Sequence, residues 1–216
     1  MGEQKKLLTM IDKALDAASE RVHELLDDKK DMKPAKLERK LRRAFKRKQV
    51  AEGTAVGITA ALPGPGTIAA AGLSAGQYGL YLTHAARYVL GVAALHGFDI
   101  DDDERRRALF LTVLAGDEGM DILNEGLTVS SVLWAKNALT SSSRASLSSL
   151  SGRLAKKLAT SGARAATRTT LGRMMPLGVG AVLGWHSGKR LAGDVIDATK
   201  EIFPGKPSYS SVYRPA

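Results

Sequence analysis

The chain has 216 residues, no cysteine and a net charge of +10 at pH 7. This length is sufficient for one domain with a full hydrophobic core. The absence of cysteine excludes disulfides, zinc sites with thiolate ligands and cysteine nucleophiles, and it suits a reducing compartment. Residues 1–8 contain no apolar core of a signal peptide, and Lys6 stands where a myristoylation signal needs serine or threonine.

The positive charge is concentrated in two stretches. Residues 33–48 contain nine Lys or Arg and one acid, Glu38, and residues 126–193 contain ten Lys or Arg and no acid. Residues 49–125, by contrast, have four bases and ten acids. This polarisation predicts two basic surfaces that face an anionic partner.

Residues 3–28 are predicted to form an amphipathic helix. Apolar residues recur there at spacings of four and three, at Ile11, Leu15, Ala18, Val22 and Leu25. The polar side of the helix is net acidic, so anionic lipid would repel it. We therefore expect this helix to pack on the core or to form a homodimer, with direct membrane contact as the less favoured alternative.

A second helix is predicted to begin at Pro34, because proline fits the first turn of a helix. Its narrow apolar stripe consists of Leu37, Leu41, Ala44 and Phe45. Like charges occupy most of its remaining surface and would destabilise an isolated helix. Three interpretations stay open: a solvated face, a surface for anionic phospholipid, and a surface for nucleic acid. Nucleic acid is disfavoured, since Phe45 is the only aromatic residue in the run and no recognition motif accompanies it.

Residues 53–86 contain no Asp, Glu, Lys or Arg, and the turn Pro63-Gly64-Pro65-Gly66 divides them. The pattern predicts an apolar helical hairpin with a short arm at 53–62 and a long arm from Thr67 to about Leu95. Gly72 and Gly76 are spaced four apart on the long arm, which lets helix backbones approach closely. The long arm contains too many polar and small residues for a strong membrane span, so we expect a buried hairpin, with conditional membrane insertion as the alternative.

An acidic run follows the long arm, with five carboxylates in residues 99–104. It is typical of a helix start, with Asp101 as the N-cap and Glu104 as its N3 partner. The run lacks the ligand spacing and central glycine of a calcium loop, so a metal site is disfavoured.

The C-terminal third is predicted to contain a basic helix and a glycine-rich helix. Leu147, Leu150, Leu154 and Leu158 share one face of the basic helix. Its cations are expected either to contact phosphates or to be solvated. Farther on, Gly180, Gly184 and Gly188 form one track beside Trp185, and we expect this track to pack against Gly72 and Gly76 at the centre of the fold.

The order of several motifs resembles the EcsC family of bacteria. These motifs are Leu62-Pro63-Gly64-Pro65-Gly66, Ala71-Gly72-Leu73-Ser74, His96-Gly97-Phe98-Asp99, Asp102-Asp103-Glu104-Arg105, Ala108-Leu109, Val113-Leu114-Ala115-Gly116 and the stretch 176–184 followed by Phe203. The resemblance covers roughly residues 50–203. It implies an intracellular, helical protein with a membrane-associated or lipid-related role, and it supplies no catalytic residues.

The sequence gives no positive indication of catalysis. No two of its four histidines stand at the helical spacing of a metal pair. No serine occupies a Gly-x-Ser-x-Gly elbow, and Gly64-x-Gly66 lacks the lysine of a phosphate loop. We therefore predict a protein that is not an enzyme and that needs no metal or cofactor.

Together these patterns predict an all-α, single-domain bundle of six or seven helices around the apolar hairpin and the glycine-rich helix. Its parts are N-terminal helices at 1–50, an EcsC-like domain at 51–203 and a flexible tail at 204–216. The expected role is cytoplasmic and peripheral association with anionic membrane, or binding of phospholipid or acyl chains in the interior. A nucleic-acid-binding protein and a helical adaptor, including a homodimer through residues 3–28, are the alternatives.

Two sets of residues are predicted to carry this role. The expected contacts to membrane or anion are Lys36, Arg39, Lys40, Arg43, Arg47, Arg153, Lys156, Lys157 and Arg164. The expected apolar interior or lipid contacts are Gly72, Gly76, Leu80, Gly180, Gly184 and Trp185.

Overall fold

A computed structural model describes residues 2–60, 66–127, 135–168 and 192–207. Within those ranges all regular structure is helical, which confirms the predicted all-α single-domain bundle. The helices are α1 (Gly2–Asp28), α2 (Pro34–Ala60), α3 (Gly66–Leu95), α4 (Asp103–Leu127), α5 (Ala135–Ser141), α6 (Arg144–Arg168) and α7 (192–202). The predicted glycine track at 180–188, Trp185 and the tail beyond 207 lie outside the described residues.

Helix α1 packs into the core rather than standing apart from it. Ile11, Leu15 and Val22 are at most 1% exposed, and the helix contacts α3 and α6. The amide of Gln4 also donates to the carbonyl oxygen of Gly152 at 3.2 Å, which ties α1 to α6. The apolar face that suggested either core packing or a dimer is therefore covered by this chain's own helices.

Helix α2 begins at Pro34, as predicted, but it is longer than expected. It runs without a break to Ala60, so the predicted short arm beginning at Gly53 is the end of α2 and not a separate helix. The predicted boundary at residues 50 and 51 also falls inside it. The physical reason is that residues 49–52 contain neither proline nor glycine, and propagating a helix is easier than nucleating a second one.

Helix α3 is the centre of the described bundle, with α1 and α2 packed against it. Leu82, Val89, Leu90 and Leu95 are fully buried. A side chain at Gly91 would stand 2.8 Å from Cδ1 of Leu41, so glycine at this position permits the close approach of α2. The helix ends as predicted at Gly97, whose φ of 73° and the bond from Phe98 N–H to Ala93 O at 2.9 Å form a Schellman motif.

Helix α4 begins in the acidic run, but the cap is Asp102 and not Asp101. The Oδ1 atom of Asp102 accepts a hydrogen bond from the backbone N–H of Arg105 at 3.1 Å. Asp101 instead lies 2.8 Å from Nε2 of His23 on α1. A bend occurs at Gly116, whose φ is 58°, and the helix then continues to Leu127. The polar bend predicted at 117–119 is therefore displaced to Gly116, where glycine adopts the left-handed conformation that other residues resist.

Helices α4 and α6 form the most extensive helix pair among the described residues. Leu147, Leu150 and Leu154 are buried, as the shared apolar face predicted. Helix α7 buries Val195 and Ile196 in the same core, and the ring of Phe203 packs at 5.9 Å edge-on against Phe98.

Candidate functional site

The solvent side of α2 carries the densest positive charge in the described part of the chain. We call its eight exposed cations the basic face: Lys33, Lys36, Arg39, Lys40, Arg43, Lys46, Arg47 and Lys48. Among the described residues none of them lies within 4.0 Å of a carboxylate, and only Lys48 has a polar side-chain contact, with His84. The five contact residues predicted on this helix, at 36, 39, 40, 43 and 47, all belong to this face.

The basic side chains predicted on α6 have a different environment. Arg153 pairs with Glu125 at 2.9 Å, and Lys157 pairs with Glu118 at 3.0 Å, so acids of α4 neutralise both. Lys156 is exposed and also has a polar interaction. Arg164 lies in α6, but its side chain is outside the part that the structure describes. The sequence could not separate the two basic sets because pairing with α4 depends on tertiary packing.

The predicted apolar contact residues lie mostly outside the described side chains. Gly72 and Gly76 belong to α3, but their surroundings are not described, and residues 180, 184 and 185 lie outside the described ranges. Leu80 is 52% exposed and is the one large apolar side chain found exposed among the described residues. Of the two roles predicted for Leu80, its position fits surface contact and not burial in the interior.

A groove of about 170 Å³ opens between the C-terminal end of α1, the first half of α2 and the C-terminal half of α3. We call it the α2 groove. Six of its lining residues are apolar or aromatic: Leu25, Leu37, Leu41, Ala44, Phe45 and Tyr88. The rings of Phe45 and Tyr88 stack in parallel with centroids 5.2 Å apart. The stacked pair joins α2 to α3 and forms an apolar wall of the groove.

The remaining lining residues of the α2 groove are basic: Lys29, Lys40, Lys48, His84 and Arg87. Lys29 pairs with Asp28 at 2.5 Å, and Nζ of Lys48 donates to Nε2 of His84 at 3.1 Å. Arg87 is half-buried and has no ion pair with any described residue. No carboxylate is found among the lining residues, so the groove combines an apolar wall with positive charge alone.

The hydroxyl group of Tyr88, a wall residue of the groove, is buried without a hydrogen-bond partner among the described residues. The residue is 2% exposed, and its hydroxyl has no hydrogen-bond partner among the described residues. Burial raises the pKa of this phenol well above its usual range, the charges of Glu38 and Asp197 raise it further, and Arg42 opposes them. The hydroxyl therefore stays protonated and remains available as a donor.

Sequence reasoning missed Tyr88 and Arg87 as site residues. Arg87 is the first charged residue after the 34 uncharged residues 53–86, but its place in the groove depends on how α3 packs against α2. Tyr88 had no comparable indication, since its role depends on the stacking with Phe45 across two helices.

The acidic run at 99–104 is part of an ion-pair network between α1 and α4. The guanidinium of Arg106 pairs with Asp16 and with Asp103, and Nε of Arg107 donates to Asp12 at 2.7 Å. Hydrogen bonding with Asp12 is the main cause that raises the pKa of Arg107, although burial opposes it. No cluster of three metal-binding side chains occurs among the described residues.

Comparison with known proteins leaves the family open. No family model matches the chain, and no curated protein or solved structure was found to be similar to it. The resemblance to the EcsC family therefore stays a prediction. In the described ranges no helix combines the length and the apolar character needed to cross a bilayer.

Proposed function

We propose that this protein associates peripherally with anionic membranes through the basic face of α2. The observation that carries the proposal is the set of eight exposed cations without a carboxylate partner among the described residues. Each Lys or Arg near an anionic bilayer surface contributes roughly 1 kcal/mol, so a few of these side chains suffice for reversible binding. The resemblance to the EcsC family supports the same role.

A phospholipid surface fits the basic face better than single-stranded nucleic acid does. Proteins that bind single strands combine cations with exposed aromatic rings on which bases stack. The aromatic residue within the basic stretch, Phe45, is 3% exposed and stacks on Tyr88. The ring is thus unavailable for stacking, and the basic face has charge without an accompanying aromatic platform.

Co-sedimentation with vesicles tests the proposal. The double variant Arg39→Gln, Arg43→Gln should weaken binding to anionic vesicles by about 2 kcal/mol, or roughly thirtyfold, at low salt. The matched control, Arg153→Gln, Lys157→Gln, removes the same net charge from two cations that acids already neutralise. We expect the control to lose much less affinity, and neutral vesicles should bind neither variant.

Two outcomes would contradict the proposal. Equal losses in the two double variants would mean that net charge alone, and not the basic face, determines vesicle binding. Duplex DNA at an equal concentration of phosphate could also displace the protein completely from anionic vesicles. This result would mean that the basic face binds DNA more tightly than phospholipid, and it would favour nucleic acid as the partner.

A further inference from the structure

The α2 groove has the shape of a site for one slender apolar chain. Its wall along α2 extends from Leu37 to Lys48, a distance of roughly 16 Å at the helical rise per residue. Its volume of about 170 Å³ is close to the roughly 150 Å³ of a cavity that holds a single benzene ring. A long site with so small a volume accommodates one unbranched chain and excludes the paired chains of a phospholipid.

The charge of the groove selects an anion. Lys48, His84 and Arg87 lie together, because the lysine contacts the histidine and the arginine follows one helical turn later on α3. Arg87 has no ion pair among the described residues, whereas Lys29 near the other end is already paired with Asp28. An arginine of this kind suits a carboxylate, which it can bind through two parallel hydrogen bonds.

The hydroxyl of Tyr88 is a buried polar group that has no hydrogen-bond partner among the described residues. Buried polar groups in folded proteins are almost always hydrogen-bonded, and an unpaired one calls for an explanation. Tyr88 lines the groove, is 2% exposed and has a hydroxyl without a partner among the described residues. The charges that act on this hydroxyl belong to Glu38, Arg42 and Asp197, none of which lines the groove, so the hydroxyl does not by itself locate a ligand there.

We propose that the α2 groove binds a free, single-chain alkyl carboxylate of the fatty-acid type. The carboxylate pairs with Arg87 and Lys48, and the chain lies along Ala44, Leu41 and Leu37 toward α1. The inference rests on the proposed membrane role, because a bilayer surface is where such an amphiphile is concentrated. It adds a defined ligand class and a site that adjoins the basic face, because Lys40 and Lys48 belong to both.

Titration calorimetry with hexanoate, octanoate and decanoate tests the chain site. Each added methylene that enters the groove should raise the affinity about fourfold, until the groove is full. Decanol and decyltrimethylammonium have the same chain without the negative charge, and they should bind at least tenfold more weakly than decanoate. Affinity that is independent of chain length, or equal for the cation and the carboxylate, would overturn the proposal.

Two variants locate the site. Arg87→Gln should weaken decanoate at least tenfold and leave decanol unchanged, while Lys46→Gln, on the basic face but outside the groove, should change neither. Ala44→Trp fills the groove and should abolish the dependence on chain length. If the tryptophan variant fails to fold, as circular dichroism would show, Arg87→Gln still decides, since unchanged decanoate binding there refutes the site.

The same proteins separate this inference from the membrane proposal. Ala44→Trp and Arg87→Gln should both retain binding to anionic vesicles, because the basic face stays intact. Vesicle binding without decanoate binding in the unaltered protein refutes the groove site alone. Decanoate binding without vesicle binding refutes the membrane proposal, and with it the source of the ligand assumed here.

Discussion

Replacement of Tyr88 by phenylalanine should stabilise the ligand-free protein. The change removes one buried hydroxyl that has no partner among the described residues and keeps the ring that stacks on Phe45 at 5.2 Å. An unsatisfied buried polar group costs about 1–3 kcal/mol, and phenylalanine avoids this cost without leaving a cavity. We expect a gain of about 1–2 kcal/mol in the free energy of unfolding, or roughly 2–8 °C in Tm for a chain of this size.

Urea unfolding and thermal melting would measure this gain, and Tyr81→Phe is the matched control. Tyr81 lies two turns earlier on α3, is only partly buried and has an interaction of its own, so the same chemical change should be neutral or slightly destabilising. A Tyr88→Phe protein that is no more stable than the unaltered one would refute the view that this hydroxyl is unsatisfied in the ligand-free state.

The pH dependence of the same variant provides an independent check. The pKa of Tyr88 in the folded protein lies above the 10.0 of an unperturbed tyrosine, mainly through burial. The free energy of unfolding of the unaltered protein is therefore not lowered by titration of Tyr88 below pH 10. It falls as the pH rises above that value, because only the unfolded chain then releases the proton. The advantage of Tyr88→Phe should grow above pH 10 and be constant between pH 7 and 9.

Substitutions at Asp102 and Gly119 test α4, and one at Gly152 in α6 serves as a comparison. Asp102→Ala removes the N-cap and should cost about 1 kcal/mol in urea unfolding at pH 7, whereas Asp102→Asn keeps an acceptor and should cost less. Burial would raise the pKa of Asp102, but the hydrogen bond from the backbone N–H of Arg105 and the charge of Arg144 outweigh burial and lower this pKa. The electrostatic contribution of Asp102 to stability is therefore present above the unfolded pKa of 3.8, and it is lost as the pH falls through the folded pKa. As the pH falls below 3.8, Asp102→Asn should accordingly lose less stability than the unaltered protein, and parallel curves would contradict this assignment. Gly119→Ala should cost about 1–3 kcal/mol, because its Cβ would overlap the carbonyl oxygen of Thr112, while Gly152→Ala meets no atom within 4 Å and should stabilise α6 by about 0.5–1 kcal/mol in the same melts.

The features that were predictable from the sequence are those set by local patterns. The apolar spacing of α1 predicted its buried face, and Gly97 followed by the acidic run predicted the end of α3 and the start of α4. The choice between Asp101 and Asp102 as the cap was not local. Both residues stand before the helix, but His23 of α1 holds Asp101, and this contact depends on how α1 packs.

The candidate site was only half predictable for the same reason. The charge run of residues 33–48 defined the basic face directly, because exposure follows from the narrow apolar stripe on α2. The α2 groove needs three helices in place, and the contribution of Arg87 and Tyr88 depends on their register against Phe45 and Lys48. The pairing of Arg153 with Glu125 is likewise a tertiary contact between α6 and α4.

The unpaired charge of α2 makes its stability sensitive to salt in a direction that distinguishes it from α4. Neighbouring cations on α2 repel one another, and added salt screens this repulsion. At the start of α4, by contrast, the pairs of Arg106 and Arg107 with acids of α1 are attractive, so salt weakens them. Amide hydrogen exchange between 0.01 and 0.3 M NaCl should therefore show slower exchange in α2 and faster exchange at 103–107 as the salt concentration rises.

The same exchange experiment with anionic vesicles connects this stability to the proposed function. If phospholipid neutralises the basic face, vesicles at low salt should slow exchange in residues 36–47 as salt does, whereas neutral vesicles should leave it unchanged. Arg39→Gln, Arg43→Gln relieves part of the repulsion beforehand and should show smaller effects of both salt and vesicles. Exchange in α2 that responds to neither would mean that the repulsion is already compensated within the chain, and it would remove the physical reason for expecting an anionic partner at this helix.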